Sequence, residues 1–152
     1  MIECALFEPD IPHNTGAILR LGACFGMPVH LIHPAGFTLS DRDFKRAGMD
    51  YLSRADLKEH AHWEEFEEWR RTARRRIIAL SARAQRRLPD FTFLADDVLL
   101  LGRESAGLPA PVLGAADHVL RIPIAEGNRS LNIAIAAAIA VFEALRQTRQ
   151  LR

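Results

Sequence analysis

Apolar residues come in short runs, three of them broken by a single polar residue (Glu3, His30 and Arg121), separated by longer stretches in which apolar and polar positions mix at helical spacing. Ile2–Phe7, Val29–Ile32, Ile77–Leu80, Val98–Leu101 and Val119–Ile122 are the runs. Each is too short for a buried helix and lacks the alternation of a half-exposed strand. Such runs suit strands of a parallel sheet covered on both faces. Pro9 and Pro12 stop the first run, since proline removes a ladder donor. The spacing of Ile18, Leu19, Leu21 and Ala23 predicts a helix from about Thr15 to Phe25, capped by Asn14 and closed by Gly26. Pro34 and Gly36 end the second run. The stretch from Phe37 to Leu57 is polar and punctuated, with one short helix expected around Asp41–Ala47. Trp63–Arg75 reads as a helix. Leu131–Thr148 reads as a strongly apolar helix about 27 Å long. Strand and helix alternate, so the expected class is α/β, a mostly parallel sheet flanked by helices, in one domain over residues 1–152.

The final helix is apolar nearly all round, which requires burial on more than one side. A core plus a dimer interface would supply this, with Ala137 taken as an outward position. Composition adds little: 49% of residues are hydrophobic, 26% are charged, and the net charge is +1. That balance does not by itself argue for nucleic acid. Its distribution says more. Glu64, Glu65, Glu67 and Glu68 precede Arg70, Arg71, Arg74, Arg75 and Arg76, the pattern of a solvated helix with i,i+4 pairs. Arg83, Arg86 and Arg87 follow a strand instead and are expected to face a polyanion.

Several chemistries are disfavoured. No GxGxxG follows the first strand and no GxxxxGK[ST] occurs, which disfavours a dinucleotide site and a P-loop. His13, His30, His33, His60, His62 and His118 lack zinc-ligand spacings, and His60 and His62 read as surface residues, so no metal is expected. Ser81, Ser105 and Ser130 lack a nucleophile elbow. Cys4 and Cys24 read as reduced, packed thiols of a cytoplasmic protein. No charged segment followed by an apolar one opens the chain, and no run is suited to spanning a membrane.

Ligands of open parallel sheets bind beyond the strands' carboxyl ends. Three segments fall there: Leu80–Ala82; Gly102–Pro109, with Gly107 and an acceptor in Glu104; and Ile122–Ile124 continuing through Gly127 to Asn132. Singly, the glycines read as turns and Ser130 as a helix cap. Together, three such loops after three apolar strands point to a site, with the last helix offering free N–H groups at its start.

At these positions the chain resembles the SpoU-type methyltransferases of the SPOUT superfamily. Asn14-Thr15-Gly16 with Arg20 resembles their first motif, and Gly102-x-Glu104-x-x-Gly107-Leu108-Pro109 the second. Ile122-Pro123, then Arg129-Ser130-Leu131-Asn132 with Glu143, resembles the third. Phe7–Gly16, Gly36-Phe37 and Ala47–Tyr51 extend the likeness to the TrmL (YibK-like) subgroup. The resemblance implies a C-terminal trefoil knot, an exception to the general absence of knots. It implies S-adenosyl-L-methionine as methyl donor, no metal, a homodimer, and tRNA as partner. The activity implied is tRNA (cytidine(34)-2′-O)-methyl transfer to the ribose of the wobble nucleotide, a cytidine or 5-carboxymethylaminomethyluridine, of leucine tRNAs. By matching position, Leu80, Gly102, Gly107, Ile122, Ser130 and Leu131 line the cofactor pocket, and Glu104 and Asn132 order it. Arg20 approaches the target ribose with Asn14 in support, so the expected catalytic set is Arg20, Asn14, Glu104, Ser130 and Asn132. Arg103 stands where relatives usually carry proline, and Phe142 where they carry tyrosine. A SpoU-type enzyme for another tRNA or rRNA position shares every motif. A non-catalytic RNA-binding protein of this fold would be expected to have lost Arg20, Glu104, Ser130 or Asn132.

Overall fold

The computed structural model describes residues 1–40, 42, 46 and 49–151. The elements in chain order are β1 (Glu3–Phe7), α1 (Pro12–Phe25), β2 (Val29–Ile32), a 3₁₀ turn (Met49–Arg54), β3 (Leu57–His60), α2 (Trp63–Thr72) and β4 (Ile77–Leu80). There follow β5 (Arg86–Arg87), a second 3₁₀ turn (Leu88–Asp90), β6 (Val98–Leu101), α3 (Ala110–Ala115), β7 (His118–Arg121) and α4 (Ile133–Gln147). The helix expected around Asp41–Ala47 falls, apart from Arg42 and Arg46, outside the described residues.

The strands form one seven-stranded sheet in the order β3-β2-β1-β6-β4-β7-β5. Every pairing in it is parallel. The chain runs outward from β1 through β2 to β3, then returns to build the other half. The order therefore reverses between β1 and β6, the kind of switch point where parallel sheets open a crevice.

Alternate strand residues face opposite layers. Cys4, Leu6, Val29, Leu31, Leu99 and Leu101 pack under α1 and α4 with Ile18, Leu19, Val141 and Leu145. Ala5, Phe7, Ile32, Ile77, Ala79, Val98 and Leu100 pack on the other face with Phe66 of α2 and Val112 of α3. Both faces are covered, which is why β4 and β6 are apolar throughout. Among the described residues no helix is long and apolar enough to cross a membrane.

Several expectations need correction. Helix α1 begins at Pro12 with Ile11 at the cap position, so Asn14 lies inside the first turn and is not the cap. Proline is suited to that start because its missing N–H would have had no helical partner. Helix α2 stops at Thr72, and Arg74 reverses the chain at φ 54°, so Arg75 and Arg76 leave the helix. The last helix starts at Ile133, with Asn132 as its cap. The last apolar run pairs over His118–Arg121, one residue earlier than Val119–Ile122. Ala137 is fully buried; the outward positions of α4 are Ile135, Ile139 and Phe142. Cys4 is buried but Cys24 is exposed. His60 is buried rather than at the surface. It meets His30 (Nδ1 to Nε2, 2.8 Å), whose other nitrogen lies 2.5 Å from the Glu3 carboxylate.

Candidate active site

The segments after β4, β6 and β7 converge on one cavity of about 320 Å³. Their convergence follows from the sheet order, because β6, β4 and β7 are neighbours and all point the same way. Leu80, Gly102, Glu104, Gly107, Ile122, Ser130 and Leu131 all line it. The walls are mainly aliphatic, with Leu108, Ile124 and Ile133 joining those residues, and Ser81 and Arg83 stand on the β4 side. Asn14, Arg20 and Asn132 are not among the lining residues.

The wall between β6 and α3 requires glycine. A Cβ on Gly102 would stand 2.4 Å from the Gly107 carbonyl carbon and 2.5 Å from the Leu108 nitrogen. Those are backbone atoms that cannot swing aside. Gly107 has φ 69°, a left-handed conformation that other residues adopt only at a cost. The two ends of this loop are tied by reciprocal bonds between Arg103 and Gly107, 3.2 Å and 2.8 Å.

Asn14, Glu104 and Asn132 are brought together, although they are not lining residues as a set. The Asn14 amide donates to Glu104 Oε1 at 3.2 Å, and its carbonyl accepts from Asn132 Nδ2 at 3.0 Å. Glu104 Oε2 accepts the Asp10 backbone N–H at 2.8 Å. Asn132 Oδ1 accepts the N–H groups of Ala134 and Ile135, at 2.9 and 3.3 Å. The chain of contacts thus runs from the β1–α1 loop through the β6 loop to the start of α4. Asn14 is nearly buried, where an unsatisfied amide would be costly. These side chains are turned toward one another and hold three loops in register.

A second clasp was not legible in the sequence. Asp10 accepts from both the backbone N–H and the hydroxyl of Ser105. Arg103 donates to Asp10 (3.3 Å) and to Glu8 (3.2 Å). The Ser105 hydrogen bonds, with the nearby Arg103 charge, hold the Asp10 carboxyl below its ordinary range. The charge introduced at position 103 is therefore taken up by two carboxylates of the preceding loop. Glu8 sits at φ 43°, uncommon for a residue with a side chain, and its N–H bonds Ile32.

Arg20 is exposed on α1, and its guanidinium carbon lies 4.7 Å from the centre of the Tyr51 ring, within cation–π range. Tyr51 belongs to the first 3₁₀ turn, which packs on α1. No spacing rule connects residues 20 and 51, so this contact had no sequence signal.

The model of the SpoU rRNA Methylase family matches residues 1–142. A relative from Ancylobacter novellus, named tRNA (cytidine(34)-2′-O)-methyltransferase, is 51% identical over 147 residues, covering 97% of this chain and 93% of the relative. A solved structure described as structural insights into the 2-OH methylation of C/U34 on tRNA has a TM-score of 0.92 at 42% identity, covering 97% of this chain and 95% of its own. The SpoU methyltransferase AviRb from Streptomyces viridochromogenes, in complex with the cofactor AdoMet, has a TM-score of 0.89 at 25% identity and covers 100% of this chain and 59% of its own. The sheet, the three converging loops and these matches agree: the chain belongs to the SpoU methylase family of RNA methyltransferases.

Proposed function

We propose that this protein methylates the ribose 2′-hydroxyl of nucleotide 34 in tRNA, using S-adenosyl-L-methionine. The finer reading is a cytidine or 5-carboxymethylaminomethyluridine of leucine tRNAs, acted on in the cytoplasm by a homodimer of single-domain chains. The observation that carries it is the convergence of Leu80, Gly102, Gly107, Ile122, Ser130 and Leu131 on one cavity. A mainly apolar cavity of this size with a few polar groups suits a nucleoside. Gly102 and Gly107 keep this part of the wall free of side chains, so that a ligand can come close to the backbone. The residues present fit the cofactor.

When bound, S-adenosylmethionine supplies a methyl group already activated on a sulfonium. The protein's task is to hold oxygen, carbon and sulfur in line, and alignment of this kind accounts for a large part of a rate enhancement. The aliphatic walls would shield the apolar parts of the bound cofactor from water. The Asn14–Glu104–Asn132 chain fixes the three loops that shape the cavity. Glu104 is engaged by Asn14 and the Asp10 N–H, so it positions and is not a free base. Arg20 keeps its proton in protein settings. Its role here is to donate to the ribose or adjacent phosphate and to stabilise charge developing on the 2′-oxygen. Tyr51 orients it. The homodimer is supported by Ile135 (54% exposed), Ile139 (41%) and Phe142 (50%) on α4, an apolar strip that one chain leaves open to water. The trefoil knot belongs to the same proposal.

The test is transfer of labelled methyl from S-adenosylmethionine to total tRNA, with the product nucleotide mapped. Label on the ribose at position 34, lost in Arg20→Ala, is expected. Cofactor binding with no label on tRNA would overturn the reading.

A further inference from the structure

Two groups of arginines stand out among the described residues. One group is paired with carboxylates: Arg75 reaches Glu3 (2.9 Å), Arg76 reaches Asp97 (2.7 Å), Arg70 and Arg71 share Glu67, and Arg146 pairs with Glu143. Arg103 joins them through Glu8 and Asp10. The other group runs along the β7–β5 edge beside the cavity. Among the described residues, no carboxylate lies within 4 Å of Arg83, Arg86 or Arg121, and Arg87 has only Asp90 at 3.7 Å, with both side chains more than half exposed.

The fold forces this second group together. The Ser81 N–H bonds the Leu120 carbonyl (2.9 Å), turning the chain after β4 alongside β7. Strand β5 then pairs with β7 in a register that sets Arg87 directly beside Arg121. Neighbouring strands are about 4.8 Å apart, and like charges side by side on a ladder repel. Among the described residues, the only carboxylate within 4 Å of this pair is the exposed Asp90, 3.7 Å from Arg87. Arg86 is held in place: its guanidinium carbon lies 4.7 Å from the Phe91 ring centre, with the side chain exposed. Arg83 lines the cavity itself. The positive edge therefore starts at the reaction cavity and extends away from it.

We propose that Arg83, Arg86, Arg87 and Arg121 form a ledge that binds the sugar–phosphate backbone of the RNA next to the reacting nucleotide. The inference rests on the reading of this protein as a tRNA methyltransferase and names the surface that such a substrate would use. The planar fork of arginine matches phosphate oxygens, and a stacked guanidinium keeps its N–H edge for them. A phosphate between Arg87 and Arg121 removes the repulsion that the ladder register builds in. Net charge of +1 gives the molecule little general attraction to RNA, so affinity has to come from a local patch of this kind.

The variant that tests it is Arg86→Ala/Arg87→Ala, on an exposed two-residue edge strand outside the proposed catalytic set. The measurement is filter binding of a leucine tRNA transcript across salt concentrations, with cofactor affinity, sedimentation and methyl transfer alongside. Expected are about tenfold weaker tRNA binding and a plot of log K against log salt shallower by about 1.5, the loss of two phosphate contacts. Cofactor affinity and sedimentation stay as in the wild type, and Arg86→Lys/Arg87→Lys retains most of the slope. Unchanged tRNA affinity and slope overturn the ledge. So does dissociation of a dimer, since the arginines would then serve a protein interface. Binding that depends on these arginines without methylation would sink the methyltransferase reading alone. Methylation with unaltered binding would sink the ledge alone.

Discussion

Two polar networks sit on this sheet, and they are built from similar parts. In the interior, Glu3 bonds His30, which meets His60, under the rings of Phe66 and Trp69. At the loops, Glu104 bonds Asn14, which bonds Asn132. Each joins a carboxylate to nitrogen groups of distant segments, and in each the groups satisfy one another. Burial differs: His30 is fully buried and Glu3 nearly so, whereas Glu104 is half-buried on a cavity wall. The interior network has titratable groups and strong burial, features often taken to mark a site, yet it does not line the cavity described above and lies along strands rather than beyond their ends. Position relative to the strand ends, more than perturbed chemistry, separates the network at the proposed site from the interior one.

The largest expected effect is on the interior. Glu3→Ala strips the carboxylate from His30, Arg75 and Lys58 at once. It should cost about 3 kcal/mol, because it leaves a buried nitrogen of His30 unpaired and removes the carboxylate shared by Arg75 and Lys58. Urea unfolding measures this, and methyl transfer below the transition should stay near the wild-type rate. A loss of activity with stability intact would reverse the assignment of the two networks.

Glu104→Gln probes the other network. The carboxylate accepts on both oxygens, while an amide has one acceptor and sets an NH₂ against a donor. We expect kcat/KM to fall about 100-fold, equivalent to roughly 2.7 kcal/mol, within the cost of leaving polar groups mispaired. Urea unfolding should move by less than half as much as for Glu3→Ala.

Tyr51→Ala should lower kcat about fivefold with little change in KM, since the ring orients Arg20 at a contact worth roughly 1 kcal/mol. Tyr51→Phe keeps the ring and should keep the rate. In the Arg20→Ala background, Tyr51→Ala should add nothing.

The smallest effect is on pH. Burial holds His30 below its ordinary range against the pull of Glu3, and burial with the neighbouring His30 does the same to His60. Unfolding restores their normal proton affinity, so the unfolded chain binds more protons below about pH 6.5. Stability should therefore be complete above that pH and decline as pH falls through it toward the depressed folded values. Glu3 remains ionised in this range, because His30, Arg75 and Lys58 together outweigh the effect of its burial. Melting curves at pH 8 and pH 5.5 test the sign; equal stability at both would remove the interior network's dependence on neutral histidines.

The sheet's centre was legible because strands covered on both faces are mainly apolar, even where a paired polar residue such as Glu3 or His30 is included. Its edges were not. Leu57-Lys58-Glu59-His60 has one aliphatic residue and Arg86-Arg87 none, so neither β3 nor β5 carries a hydrophobic period. Charged side chains on edges are common, since they discourage pairing with other chains. The cavity loops were readable because each follows a visible strand and carries glycine, serine or a motif. The Asp10–Ser105 clasp and the Arg20–Tyr51 contact were not, because they join segments 95 and 31 residues apart through side chains alone. Asn14 was misread as a cap because capping residues and buried amides look alike in sequence. Only the position of Glu104 and Asn132 distinguishes them.

The two thiols differ in a way that has experimental use. Burial pushes Cys4 up to about 12, so at neutral pH it presents no thiolate to a reagent. Cys24 is exposed and lies four residues after Arg20 on α1, one helical turn along the same face. A maleimide dye should thus attach at one place without any engineered cysteine. It would stand about 6 Å from the Arg20 backbone, close enough for its emission to report the arrival of an RNA strand at that face.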